Sequence, residues 1–295
     1  MLKDGITIAS GSSDGTVEIW RRRTKKQVQH FATVSSKYCP HITGVILLSN
    51  GTFAVAMNSP VVQQRKFIVR MFKISNGRGV AQEELTGHTA TINCLLELGN
   101  GTLISGADDN NIRYWQGSPR KCVQVSKQAH AGPITSLAAA SGNRFVSVAL
   151  DGRIKVWNAQ RPAIGVTLLK SALAFESGIL CLAISSDMTI AVGSAADSTV
   201  SLWNGLNDDG DKKLVHTATL AHQREGADSA LSILALTYLS DGTLLSSGED
   251  KDVAVWQNNT AMARLRHPAA VASLCALSSG QFVAGCSDGT VKVWQ

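Results

Sequence analysis

Residues 87–115 read GHTATINCLLELGNGTLISGADDNNIRYW, and this stretch decides the fold. Asn100-Gly101 separates two apolar runs. Asn-Gly in that setting is the strongest short hairpin signal, because both residues tolerate the positive φ of a type I′ turn. A second tight turn follows, and a third strand ends on Trp115. His88, Ser105, Asp109 and Trp115 are spaced so that a four-stranded antiparallel sheet would gather them into one chain of hydrogen bonds. The carboxylate would accept from the imidazole and the turn amides, and the hydroxyl would link imidazole to indole. Each bond nets about 1 kcal/mol, and about 1.5–3 kcal/mol where it reaches the carboxylate.

The set recurs. His130, Ser147, Asp151 and Trp157 repeat it with the same 27-residue span from His to Trp, and His222, Ser246, Asp250 and Trp256 repeat it over a longer one. Partial copies are Ser10-Asp14-Trp20, Asp197-Trp203 and His267-Asp288-Trp294, and Phe72 closes a degenerate copy opening near His41. The closing aromatics stand 38 to 53 residues apart. A period near 40–45 with four short strands per unit predicts an all-β, seven-bladed β-propeller filling residues 1–295 as a single domain. These residues resemble the WD-repeat family across essentially the whole chain. The name-giving dipeptide is absent, because Arg21, Lys73, Gln116, Asn158, Asn204, Gln257 and Gln295 follow the aromatics.

The units depart from one another in readable ways. Asp4-Gly5 stands where a first hairpin turn belongs, so Met1 to Lys3 would be a stub and the first blade lacks most of its inner strand. The second unit replaces its Asp turn with SPVVQQRK (59–66), and Phe72 has no indole N–H to satisfy. The fifth has Glu176 near the His place and Gly193 at the Ser place. The sixth carries extra residues, best placed in QREGADSA (223–230), and the seventh has Ala284 for Ser. The chain stops one residue after Trp294, so the last blade lacks its outer strand. That leaves an unpaired edge, and the expectation is that the natural protein begins upstream of Met1 or that another chain covers the edge.

Composition narrows the function classes. The chain has 295 residues, 44% hydrophobic, with a net charge of +6. No apolar run reaches the length of a membrane span, and the N-terminus lacks a secretion-signal layout, so no membrane partner is expected. Six cysteines without a CxxC pair read as buried free thiols in a reducing compartment, giving a cytoplasmic or nuclear location. Arg21, Arg22, Arg23, Lys25 and Lys26 cluster directly after Trp20, in the position of a loop on the bottom face. They read either as a solvated rim or as a docking face for an acidic tail or nucleic acid.

Chemistry-bearing motifs are missing. Five of the seven histidines occupy the repeat's loop position, and the sequence has neither a phosphate-binding loop nor a zinc-protease helix. The Ser-His-Asp sets repeat unit by unit inside the fold, whereas a nucleophile must be exposed beside an oxyanion site. No catalytic residue, metal, cofactor or small-molecule substrate is expected.

What remains is a non-catalytic interaction scaffold binding a protein or peptide on its top face. The residues preceding each turn Asp would point there: Ser13, Asp108, Leu150, Ala196, Glu249 and Ser287. The stretch from Gly248 to Trp294 is similar to the last two blades of the phospholipase-activating protein family, through GED before the third strand, a His-Pro linker and a terminal GCSDG. That resemblance implies ubiquitin binding on the top face and service to an AAA segregase. The alternative is an RNA- or ribosome-associated propeller using the basic bottom face.

Overall fold

The computed structural model describes residues 7–24, 27–35, 41–59, 66–75, 78–206, 213–222, 230–277 and 280–294, and every regular element among them is a β-strand. Contacts group the chain into two compact units. The first comprises Met1–Ile134 and Gln160–Val166, the second Thr135–Ala159 and Thr167–Gln295.

The described strands form six sheets. The first sheet contains β1 (Thr7–Gly11), β2 (Thr16–Thr24), β3 (Gln27–Ser35), β4 (His41–Leu47), β5 (Phe53–Ser59), β6 (Lys66–Ser75) and β7 (Arg78–Thr86). Its order is β1-β2-β3-β7-β6-β5-β4. The second is β8 (Ile92–Glu97), β9 (Leu103–Ala107), β10 (Ile112–Gly117) and β11 (Arg120–Ser126). The third is β12 (Ile134–Ala139), β13 (Arg144–Ala149), β14 (Arg153–Arg161) and β15 (Gly165–Leu173). The fourth is β16 (Ile179–Ile184), β17 (Ile190–Ser194), β18 (Thr199–Asn204) and β19 (Val215–Ala221). The fifth is β20 (Ile233–Tyr238), β21 (Leu244–Gly248), β22 (Asp252–Gln257) and β23 (Thr260–Arg266). The sixth has three strands, β24 (Val271–Ala276), β25 (Phe282–Cys286) and β26 (Val291–Trp294).

Six sheets correct the expected seven. The cause is one parallel bridge, Thr33 to Arg78, which joins the outer strands β3 and β7. Two runs that the sequence separates into repeats thereby become arms of one sheet. Their apolar faces share a core of Val17, Ile19, Ile42, Phe53, Val55, Met57, Ile68 and Phe72.

Strand position explains the sequence pattern. The second strand of a four-stranded sheet is covered on both faces, so LISGA, IAVGS and LLSSG are buried at every residue and show no alternation. Outer strands meet the core along one face only, and VHTATLA in β19 is mostly exposed. Successive sheets are laced by one recurrent bond, in which a carbonyl at or near the start of an inner strand accepts from a side chain of the preceding sheet. Ile134 O accepts from Asn93 Nδ2 at 2.8 Å, Ile179 O from Thr135 Oγ1 at 2.7 Å, Ile233 O from Cys181 Sγ at 3.3 Å, and Val271 O from Ser247 Oγ at 3.0 Å. Ile92 O accepts from both Thr43 and Asn58.

Such close approach needs glycine near the end of the second strand. A Cβ on Gly106 would lie 2.6 Å from Ile134 Cγ2 and 2.8 Å from Cys94 Sγ, and one on Gly193 would lie 2.5 Å from Cys181 Sγ and 2.6 Å from Ile233 Cγ2. This is why Cys94 and Cys181 occupy a place for small residues. Burial pushes the Cys94 thiol up to about 12 and raises that of Cys181 as well.

Other expectations change at the strand ends. Arg21, Arg22 and Arg23 are not in a loop, because β2 runs on to Thr24 and pairs Arg21 with Gln29 and Arg22 with Val28. Lys25 and Lys26, Met1 to Lys3, residues 60–65 and residues 223–229 lie outside the described residues. Ser59 and Lys66, the ends of the segment that replaces the second unit's Asp turn, pair with each other as strand ends. Cys122 is exposed on the outer strand β11 rather than buried.

Gly193→Ala should therefore destabilise the protein by about 1–3 kcal/mol through overpacking. Urea titration checks it: a midpoint shift within error would mean that the β17–β20 approach has slack.

Candidate functional site

In the second sheet the donors run in one direction. The Trp115 indole, a donor only, donates to Ser105 Oγ at 2.9 Å. Ser105 Oγ lies 2.8 Å from His88 Nε2, and His88 Nδ1 lies 2.9 Å from Asp109 Oδ2. With the indole proton on the serine oxygen, the serine hydroxyl donates to Nε2, and Nδ1–H donates to the carboxylate. Asp109 also accepts from the amides of Thr89 and Asn111, both at 3.0 Å. Burial would raise its carboxyl, but the hydrogen bond from His88, with the two amides, outweighs this and holds it at about 2.

The fifth sheet builds the same chain with the ring turned. Trp256 donates to Ser246 Oγ at 2.7 Å, His222 Nδ1 lies 2.7 Å from that oxygen, and Nε2 lies 3.2 Å from Asp250 Oδ1. The Asp250 carboxyl is lowered too, burial again opposing the His222 interactions. In the third sheet Trp157 donates to Ser147 at 2.8 Å, Asp151 accepts from the Arg153 amide at 3.0 Å, and His130 is buried.

Where a member is missing, another group takes the bond. With glycine at 193, the Trp203 indole donates at 2.8 Å to Ser201, two residues earlier on the same face of β18. Ser177, not the expected Glu176, donates to Asp197 at 2.5 Å, and Glu176 is exposed. With alanine at 284, Trp294 donates directly to His267 Nε2 at 3.0 Å. His267 Nδ1 then donates to Leu265 O at 3.0 Å, and Asp288 accepts instead from Thr290. Asp14 is likewise engaged by Thr16, through its amide at 2.9 Å and its hydroxyl at 2.6 Å.

These networks hold the turns, and the residues before each turn Asp face outward. Ser13, Asp108, Leu150, Ala196, Glu249 and Ser287 are all exposed. Asp108 accepts from Asn93 Nδ2 at 2.7 Å and Glu249 from the Ser232 amide at 3.1 Å, so each acid is oriented by the inner strand or its entry. Leu150 leaves 43% of its surface in water beside Gly178, where an added Cβ would meet the Leu150 backbone at 3.0 Å. Among the described residues no group of three or more His, Cys, Asp and Glu could hold a metal ion, and no helix is long and apolar enough to cross a membrane.

Sequence reasoning missed Ser201, Ser177 and the Thr43–Asn58 pair. Ser201 was within reach, since residues two apart share a face of a strand. Asn58, 2% exposed, bonds Thr43 Oγ1 at 2.8 Å and accepts from the Ile92 amide at 2.9 Å, a contact between sheets that no local pattern marks.

Four-stranded sheets laced in series, each pinned by a Trp-anchored chain, define a WD-repeat propeller. The chain belongs to the family described as WD domain, G-beta repeat, which matches residues 2–21, 79–116, 120–158, 168–204, 216–257 and 260–295. The unmatched residues 22–78 hold most of the arms that merge in the first sheet. The crystal structure of the WD40 beta propeller domain of Doa1 superposes with a TM-score of 0.76 at 20% identity, covering 98% of this chain and 89% of that one. The likeness to the phospholipase-activating protein family thus holds at the level of fold. Apoptotic protease-activating factor 1 of Rattus norvegicus is 23% identical over 92% of this chain and 22% of its own length. Ribosome biogenesis protein ytm1 of Aspergillus oryzae is 29% identical over 70% of this chain and 50% of its own. The chain spans from a tenth to a half of the length of the curated relatives it matches first.

Because the folded Asp109 carboxyl sits below the ordinary value of about 3.9, its contribution is complete above pH of about 4 and is lost as pH falls through about 2. Asp109→Asn should cost about 1–3 kcal/mol at pH 6 and flatten the loss of stability over that acid window. Denaturant titrations at several pH values check this, and an acid limb identical to wild type would remove Asp109 from the account.

Proposed function

We propose that residues 1–295 act as one non-catalytic interaction scaffold that binds a protein or peptide through its exposed turn residues. One observation carries this reading. Six residues at matching places are all in solvent, while the titratable and hydroxyl groups behind them are occupied in structural hydrogen bonds. In the second unit the set offers exposed Leu150 and Ala196 with the acid Glu249, which suits a partner presenting a basic group beside an apolar anchor.

The finer reading is that the partner is ubiquitin, supported by the resemblance of 248–294 to the phospholipase-activating protein family and by the fold shared with Doa1. The free thiols of Cys94, Cys181, Cys275 and Cys286 support a cytoplasmic or nuclear location. Titration into labelled ubiquitin should shift its amide resonances, and the Leu150→Arg, Glu249→Lys double variant should abolish the shifts. Absence of shifts at millimolar protein would end the ubiquitin reading.

A second reading, RNA or ribosome association through Arg21, Arg22, Arg23, Lys25 and Lys26, is supported by the similarity to the ribosome biogenesis protein. Phosphate contacts would make affinity for a structured RNA fall steeply with salt, by a log–log slope of about −0.7 to −0.9 per contact. A flat salt dependence rejects it.

A further inference from the structure

Exposed leucines are concentrated in the third sheet. On β15, Leu168, Leu169 and Leu173 are 47%, 44% and 49% exposed, and Leu150, in the turn before β14, is 43% exposed. The outer strands β7, β19 and β23 carry one large exposed hydrophobic each, Val80, Val215 and Met262, and β11 carries none. Charge is scarce on β15 as well. β7 and β23 hold Glu83, Glu84, Arg264 and Arg266, whereas the one charged residue of β15, Lys170, donates to Gly205 O at 2.6 Å. Exposed apolar side chains grouped in this way mark an interaction surface.

Two of these leucines flank one junction of the backbone. The Ala174 and Phe175 amides both donate to Gly152 O, at 2.8 and 3.3 Å. A Cβ on Gly152 would lie 3.4 Å from Leu173 Cδ1, and one on Gly178 would lie 3.3 Å from Leu150 Cδ2. Ala172, Ala174 and Phe175 pack against a buried core that includes Ile154 and Val156, which fixes the junction in place. Its two sides carry opposite charges. Arg153 follows Gly152, and Glu176 follows Phe175. Both are exposed, and among the described residues neither the guanidinium nor the carboxylate has a hydrogen-bond or ion-pair partner.

An apolar centre with a free cation on one side and a free anion on the other is complementary to itself. In a two-fold contact, residue i of one copy meets residue j of the other, and j meets i. We infer that this corner of the third sheet is a docking surface for a second copy of the chain. With the two-fold axis through the junction, Leu150 and Leu173 of the two copies face each other, and each Arg153 stands against Glu176 of the second copy. The leucines supply affinity, and the ion pairs, at a solvated rim, set the register. The inference goes beyond the scaffold reading. Leu150 belongs to both surfaces, but the dimer is measured without any other partner, so its failure leaves that reading standing.

The test is sedimentation velocity on the full chain over a range of micromolar concentrations. Expected are a monomer–dimer equilibrium in the wild type and a dissociation constant at least tenfold higher for Leu173→Arg. Arg153→Glu and Glu176→Arg each set like charges against each other across the contact, so each alone should weaken the dimer. An equimolar mixture of the two should form heterodimers, because the mixed contact restores both ion pairs. All three positions are exposed, so the variants should fold, which thermal melts verify. A wild type that stays monomeric at hundreds of micromolar overturns the proposal, as does equal dimerisation of wild type and Leu173→Arg. So does a mixture no more dimeric than its two components, since the charges would then not face each other.

Discussion

A buried indole N–H is a donor that can do nothing else. It has no lone pair to offer and cannot rotate its proton away, so burying a tryptophan obliges the sheet to place an acceptor at one spot. Most of the polar architecture follows from that obligation. Where serine is available it takes the proton and passes its own to histidine, which passes one to aspartate. Where serine is lost, the acceptor comes from the same strand at Ser201 or from His267 itself. Phe72, in a repeat with no indole to satisfy, stands where the pattern is least regular. Loss of a hydroxyl is therefore tolerated wherever a second acceptor is in reach, and the repeat can diverge without leaving a buried donor unpaired.

The second constraint acts between sheets. Strands stacked as closely as β17 on β20 leave no room for a Cβ, which places Gly193, and Ile134 and Cys94 leave none at Gly106. The same closeness brings a carbonyl of the inner strand within reach of a polar side chain from the sheet before. Thr135, Asn93, Cys181 and Ser247 are chemically unlike, yet each is a short polar side chain donating to the matching carbonyl. The position selects for a donor of limited length rather than for a residue type, which is why it leaves no motif.

That distinction explains what the sequence made legible. The tetrad residues, the hairpin turns and the strands were readable because each depends on spacing within one repeat. Asn58 and the carbonyl lacing were not, since they join residues of different repeats. The merger of two repeats into one sheet rests on the single bridge from Thr33 to Arg78, and no residue type signals one bridge. Arg21, Arg22 and Arg23 directly follow Trp20, where the repeat pattern puts a loop. Their backbone instead continues β2, whose partner strand β3 extends far enough to hold it.

The directed chain also bears on chemistry. Ser105 and Ser246 stand beside histidines that stand beside aspartates, the order of groups in a hydrolytic triad. A nucleophile, however, needs a lone pair directed at substrate. Each of these oxygens is wholly buried and already accepts an indole proton, while its own proton goes to the imidazole. Freeing the lone pair would strand the indole N–H, and exposing it would open the sheet. The same three groups that perform covalent chemistry elsewhere are thus committed here to holding a turn rigid. In the proposed reading, recognition is left to what the rigid turns display, Leu150 and Glu249 beside the turn aspartates among them.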